Sequence, residues 1–196
     1  MGLFTKNVTG EFKIGKRSNF KRIERDYYPT PIKALQPLLP YLKDKTRFVE
    51  PCAGDGRLIT HLEDEGHICV DAWDIKPQGP GIRTQDATTH RSRHEDYCYI
   101  TNPPWGRPLL HKMIENLSDQ APTWFLFDAD WMHTEQKIVA KKHGVMDATQ
   151  LMKRCVKIVS VGRVKWIEGS KSVGKDNCAW YLFDVNHTGK TEFIGR

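Results

Sequence analysis

Apolar and polar residues alternate along this chain in blocks that predict short strands separated by helices. Phe48-Val49, Ile68 to Ile75 and Tyr97 to Thr101 are apolar runs of strand length, each ending at small or turn-forming residues. Arg57 to Glu65 fits a helix following the first of them. Leu109 to Leu117 sets Leu110, Met113, Ile114 and Leu117 at the spacing of a helix that buries one face. Trp124 to Phe127 reads as a buried strand, Glu135 to His143 as a basic helix, and Val156 to Val161, Val164 to Ile167 and Ala179 to Val185 as further strands. Thr30 to Leu42 carries Ile32, Leu35, Leu38, Leu39 and Leu42 in helical register, a helix that Pro37 and Pro40 shorten or kink. Strands alternating with helices, then an antiparallel closing pair, predict an α/β fold built on one open, doubly wound sheet. At 196 residues the chain suits one domain with a sizeable core.

The chemistry concentrates where the predicted strands end. Asn102-Pro103-Pro104-Trp105 follows the run Tyr97 to Thr101. Two prolines fix two φ angles and remove two backbone donors, so a strand stops there and its carbonyls are left to accept. With the Asn102 amide and an aromatic face, the turn suits a planar amine; the plain alternative is a strand-ending turn with a core Trp. Glu50-Pro51-Cys52-Ala53-Gly54-Asp55-Gly56 joins the first strand to the helix from Arg57. Gly54 and Gly56 let a ligand lie against the backbone at a helix start, and Glu50 can accept from a ligand amine. The loop lacks the Lys-Ser/Thr ending of a P-loop and the spacing of G-x-G-x-x-G. Asp74 ends the second strand about 20 residues past the glycines, where doubly wound folds place a ribose-binding acid.

In that order, these segments resemble the class I S-adenosylmethionine-dependent methyltransferases, in particular the amino-methyltransferases whose nucleic-acid members methylate adenine N6. The resemblance covers roughly residues 26 to 185. It implies a mostly parallel seven-stranded sheet with an antiparallel last strand, and S-adenosyl-L-methionine as cofactor. The family's cofactor loop corresponds to Glu50, Pro51, Cys52, Ala53, Gly54 and Gly56, its second-strand acid to Asp74 followed by Ile75, and its third-strand motif to Asp86-Ala87. Its N-terminal motif corresponds to Asp26-Tyr27-Tyr28-Pro29-Thr30-Pro31, in which a Tyr-x-Thr-Pro segment helps close over the methionine end of the cofactor, which puts Tyr28 and Thr30 there. The catalytic tetrapeptide corresponds to Asn102, Pro103, Pro104 and Trp105, with Asn102 also bordering the cofactor. By this likeness Asp74 holds the ribose, Asp86 the adenine amino group, and Trp105 stacks on the target ring.

Charge then narrows the partner. A net charge of +6 and a pI near 9.0 favour a polyanion. Residues 1–25 form a basic arm in which Lys13, Lys16, Arg17, Lys21, Arg22 and Arg25 alternate with Phe12 and Phe20, leaving 26–196 as the methyltransferase domain. Arg107, Lys165, Lys171 and Lys175 are the expected nucleic-acid contacts in the domain. The acceptor expected is adenine N6 in DNA; an RNA adenine or guanine amine, a protein glutamine amide, and a non-catalytic nucleic-acid-binding subunit are the alternatives. No segment is large enough for a separate target-recognition domain, so specificity falls to short loops, the arm, a homodimer partner or another protein. Five cysteines without a C-x-x-C pair read as reduced thiols, and His61 with His67, or His90 with His94, lack the partners of a metal site. No apolar run is long enough to span a membrane and no secretory h-region opens the chain, which predicts a cytoplasmic protein.

Overall fold

The computed structural model describes residues 27–169 and 173–196; the expected basic arm and Lys171 lie outside them. Among the described residues eight strands form one sheet in the order β3-β2-β1-β4-β5-β7-β6-β8. They are β1 (Arg47–Glu50), β2 (Ile68–Asp74), β3 (Arg83–Thr84), β4 (Cys98–Thr101), β5 (Thr123–Asp128), β6 (Cys155–Arg163), β7 (Asn177–Phe183) and β8 (Glu192–Ile194). The helices are α1 (Ile32–Leu35), α2 (Arg57–Asp64), α3 (Arg107–Ser118), α4 (Lys137–His143) and α5 (Ala148–Met152).

The expectation of seven strands ending in an antiparallel one needs correction. The antiparallel strand is β7, inserted between β5 and β6 and opposed to both, and an eighth strand follows it. Phe183 sits opposite Cys155, so β7 ends where β6 begins, and the chain turns beneath β6 to lay β8 parallel along its outer edge. Thr191 Oγ1 donates to the Cys155 carbonyl (2.8 Å) and Lys157 pairs with Glu192 (2.8 Å), pinning that short edge strand. Two local expectations also change. The helix expected over Thr30 to Leu42 is a single turn, α1, followed by a 3-10 turn at Leu39–Tyr41, because Pro37 and Pro40 supply no N–H to a continuing helix. Val164 to Ile167 is not a strand: the Val164 carbonyl is taken by Gly174 N–H (2.8 Å), which closes the β6–β7 connection into a loop.

Period-two alternation divides the strands between two cores. Val49, Tyr99, Phe125, Phe127, Tyr181 and Phe183 face α3 and α5 with Leu110, Ile114, Leu117 and Leu151. Phe48, Ile100, Trp124, Leu126 and Trp180 face α1 and α2 with Leu35, Leu38, Leu58 and Leu62. Strands covered on both faces are apolar at every position, which is why Trp124 to Phe127 reads as an unbroken run. From β1 the chain winds outward through β2 to β3, then returns to β4 on the other side of β1. The adjacent carboxyl ends of β1 and β4 therefore form the topological switch point, where open α/β sheets bind ligands.

Candidate functional site

Both predicted loops leave the sheet at this switch point. After β1, Gly54 takes φ +53° and Gly56 φ +84°, the second as the residue that opens α2. The Tyr27 ring lies on Gly54 so closely that a Cβ there would come within 2.7 Å of its Cε2. Asp74, at the end of β2, accepts from the Gly54 N–H (2.9 Å) and from the Lys76 N–H (2.7 Å), stapling the glycine bend to the neighbouring strand. An ionised carboxylate offers about four acceptor positions, so two backbone bonds leave capacity for ligand hydroxyls. Asp86, just past β3, accepts from the Thr88 N–H (2.8 Å) and hydroxyl (2.7 Å), which fixes its carboxylate in a tight turn.

A cavity of about 600 Å³ opens between these loops. Tyr28, Thr30, Glu50, Pro51, Cys52, Ala53, Gly54, Asp74, Ile75, Asp86, Ala87, Asn102 and Pro104 all line it, so the structure gathers most of the sequence-predicted residues around one space. Gly56, Pro103 and Trp105 are not in its lining. Gly56 serves the left-handed turn into α2, and Pro103 is a buried residue. Sequence reasoning missed Tyr27, Asp55, Lys76, Gln78, Leu109 and Met113 in the wall. Tyr27 belonged to the motif that supplied Tyr28, and Met113 showed only the spacing of a core position.

The electrostatics of the cavity are uneven. Glu50 is 2% exposed, and its Oε2 has no hydrogen-bond partner among the described residues. Burial, then the nearby Asp74 and Asp55, hold its carboxyl well above the usual range and favour the neutral acid. Burial likewise keeps the Cys52 thiol protonated. Ile75, Ala87, Leu109 and Met113 add apolar surface to the lining, with Ile75 57% and Leu109 44% exposed. The lining thus combines a carboxylate with spare acceptor capacity at Asp74, an orphaned carboxyl at Glu50 and apolar surface, a donor and acceptor set able to hold a ligand with hydroxyls, a cationic end and a planar ring.

On the β4 side, Asn102 Nδ2 donates to the Tyr28 carbonyl (3.1 Å), which orients the amide and presents Oδ1 as the acceptor. Trp105 turns back toward the sheet, its indole N–H donating to the Leu126 carbonyl (3.2 Å). Trp166, in the β6–β7 loop, meets Trp105 edge-to-face at 5.9 Å and lies 6.5 Å from the Tyr28 ring. Glu168 of the same loop reaches Arg57 at the start of α2 (3.1 Å), so the loop is tied to both halves of the site. Arg107, expected on nucleic acid, forms a partly buried ion pair with Asp128 at the end of β5. Lys165 and Lys175 are exposed.

No protein-family model matches the sequence, and neither does any curated protein. Solved structures do match. The 23S rRNA methyltransferase ErmE aligns with a TM-score of 0.52 at 14% identity, covering 80% of this chain and 68% of its own. A candidate RNA methyltransferase from Pyrococcus horikoshii gives 0.50 at 18% identity, covering 86% and 92%. The methyltransferase subunit of a type I restriction-modification system from Streptococcus thermophilus gives 0.54 at 11% identity, covering 86% of this chain and 47% of that one, so this chain spans about half of its length. The chain has a Rossmann-like S-adenosylmethionine-dependent methyltransferase fold, with β8 added at its edge. Among the described residues no helix is long and apolar enough to cross a membrane.

Proposed function

We propose that this protein transfers a methyl group from S-adenosylmethionine to an exocyclic amine of a nucleic-acid base, with adenine N6 as the acceptor. The observation that carries this reading is the Asn102 amide, anchored through its nitrogen on Tyr28 at the rim of the cavity that Glu50, Gly54 and Asp74 line. A purine amine is a weak nucleophile because its lone pair is delocalised into the ring. Asn102 Oδ1 and the Pro103 carbonyl would each accept one amine hydrogen, hold the nitrogen pyramidal and aim its recovered lone pair at the methyl donor. The cofactor supplies an electrophilic methyl on a sulfonium sulfur. Catalysis by this chain is then positioning and electrostatics, and the amine proton can leave after transfer without a strong base. Asp74 would take the ribose hydroxyls, Asp86 the adenine amino group and Glu50 the amino-acid end. Trp105, held by Leu126 and Trp166, would provide the aromatic wall against the target ring, and Lys165, Lys171 and Lys175 would contact phosphates.

The polymer is the point on which the sequence and the structural neighbours differ. The sequence reading favoured DNA, whereas ErmE and the Pyrococcus horikoshii protein are named for RNA, which supports RNA as the acceptor. DNA stays the second reading because the restriction-modification subunit aligns at 0.54. In duplex DNA the adenine would have to be flipped out of the stack to reach the cavity. The test is transfer of labelled methyl to RNA, single-stranded DNA, duplex DNA and protein in parallel, with digestion to identify the product. Label in N6-methyladenosine, lost in Asn102→Ala, is expected. Label confined to protein, or none in any acceptor, would overturn the proposal.

A further inference from the structure

We infer that Glu50 releases a proton to solvent as the cationic amino-acid end of the cofactor docks beside it. This rests on the reading that the cavity takes S-adenosylmethionine. Glu50 ends the interior strand β1 at the switch point, lines the cavity, and is 2% exposed with Oε2 unpartnered among the described residues. An ionised carboxylate so placed would be buried without compensation, whereas the neutral acid is tolerated. The groups around it reinforce this. Asp74 from β2 and Asp55 from the glycine loop oppose a further negative charge. Asp86 beyond β3 adds another carboxylate to the wall, Cys52 stays a thiol, and Tyr27, Thr101 and Asn102 contribute neutral groups. Lys76, the cation of the lining among the described residues, is exposed.

An arriving ammonium changes the balance. A positive charge beside Glu50 favours its ionised form and gives Oε2 the partner it lacks. The O–H bond of the acid breaks, its proton passes to buffer, and a carboxylate–ammonium pair remains, so charge is conserved. Below the raised titration range of the empty protein, the ammonium must compete with that proton. While the ligand's amino group stays charged, affinity for an ammonium-bearing ligand therefore rises with pH toward that range. A ligand carrying only the nucleoside half makes no such demand.

Titration calorimetry of the full chain at pH 6.5, where an ordinary α-amino group is charged, tests this with three ligands. These are S-adenosylmethionine, S-adenosylhomocysteine, and 5′-methylthioadenosine, which lacks the amino acid. Repeating each titration in buffers of different ionisation enthalpy gives the protons released. Net proton release is expected for the first two ligands and none for the third. Glu50→Gln, shown folded by its thermal melt, should abolish the release and weaken the first two roughly tenfold while leaving the third within about twofold. Binding of S-adenosylmethionine without proton release, or release that persists in Glu50→Gln, overturns the inference and leaves the cofactor reading standing. Failure of all three ligands to bind overturns both.

Discussion

Replacing Asn102 by alanine and by aspartate separates the two tasks of its amide. The nitrogen fastens the side chain to the Tyr28 carbonyl at 3.1 Å, and the oxygen is left to accept from the acceptor amine. Alanine removes both. Loss of one positioned acceptor at a reacting centre costs about 3 to 4 kcal/mol of transition-state stabilisation, so kcat should fall roughly 100- to 1000-fold. Aspartate keeps an acceptor but cannot donate to Tyr28. Losing one neutral hydrogen bond costs about 0.5 to 1.5 kcal/mol, so Asn102→Asp should lose roughly 2- to 12-fold relative to wild type. Single-turnover methyl transfer at saturating cofactor would measure both, with cofactor affinity taken separately to show that the cradle is intact. If alanine stayed within about threefold of wild type, the clamp would not operate. If aspartate were as inactive as alanine, orientation through Tyr28 would not be its separable second task.

Three other substitutions probe the supports of the site. Gly54→Ala forces a side chain into φ +53° with its Cβ 2.7 Å from the Tyr27 ring, so the urea midpoint should drop by an amount equivalent to about 1 to 3 kcal/mol and cofactor affinity should fall; unchanged values for both would refute the close packing. Arg107→Ala breaks the half-buried pair with Asp128 and should destabilise by roughly 2 to 3 kcal/mol, whereas Lys165→Ala should leave stability alone and reduce the salt dependence of nucleic-acid binding; the reverse pattern in denaturation and binding assays would restore Arg107 as a phosphate contact. His111 is fully buried, accepts from the Trp131 indole N–H at Nε2 (2.9 Å), and burial lowers its pKa below the usual 6.5. Because the folded value is depressed, its stabilisation is complete above about pH 6.5 and declines as pH falls below it, so wild type should lose more stability than His111→Gln between pH 7.5 and 5.5 in urea titrations; equal losses would refute this.

Much of this fold was legible because its signals are local. The apolar run of β5, the helical spacing of α3 and the glycine and proline turns mark their own positions within a few residues. Asp74 was found by its distance from the glycines, although its bond to the Gly54 N–H, which makes it a structural staple as well, shows only in three dimensions. β8 escaped notice because it is three residues long, with Glu192 and Phe193 both exposed. Val164 to Ile167 looked like a strand from its apolar residues, but the register shift near Gly162 and the closure by Gly174 turn the chain away. The β6–β7 loop was the least legible part of the site. Trp166 and Glu168 meet Trp105 and Arg57 only because the sheet brings together segments far apart in sequence, and the pairing of Arg107 with Asp128 was hidden for the same reason.

Two segments distant in sequence, the glycine bend after β1 and the proline turn after β4, are taken to serve a single transfer step. A crystal structure of the protein with S-adenosylhomocysteine examines this most directly. The ligand is expected in the cavity with its ribose at Asp74, its amino-acid end at Glu50 and its sulfur turned toward Asn102. A sulfur facing away from Asn102, or a ligand seated elsewhere on the molecule, would contradict it.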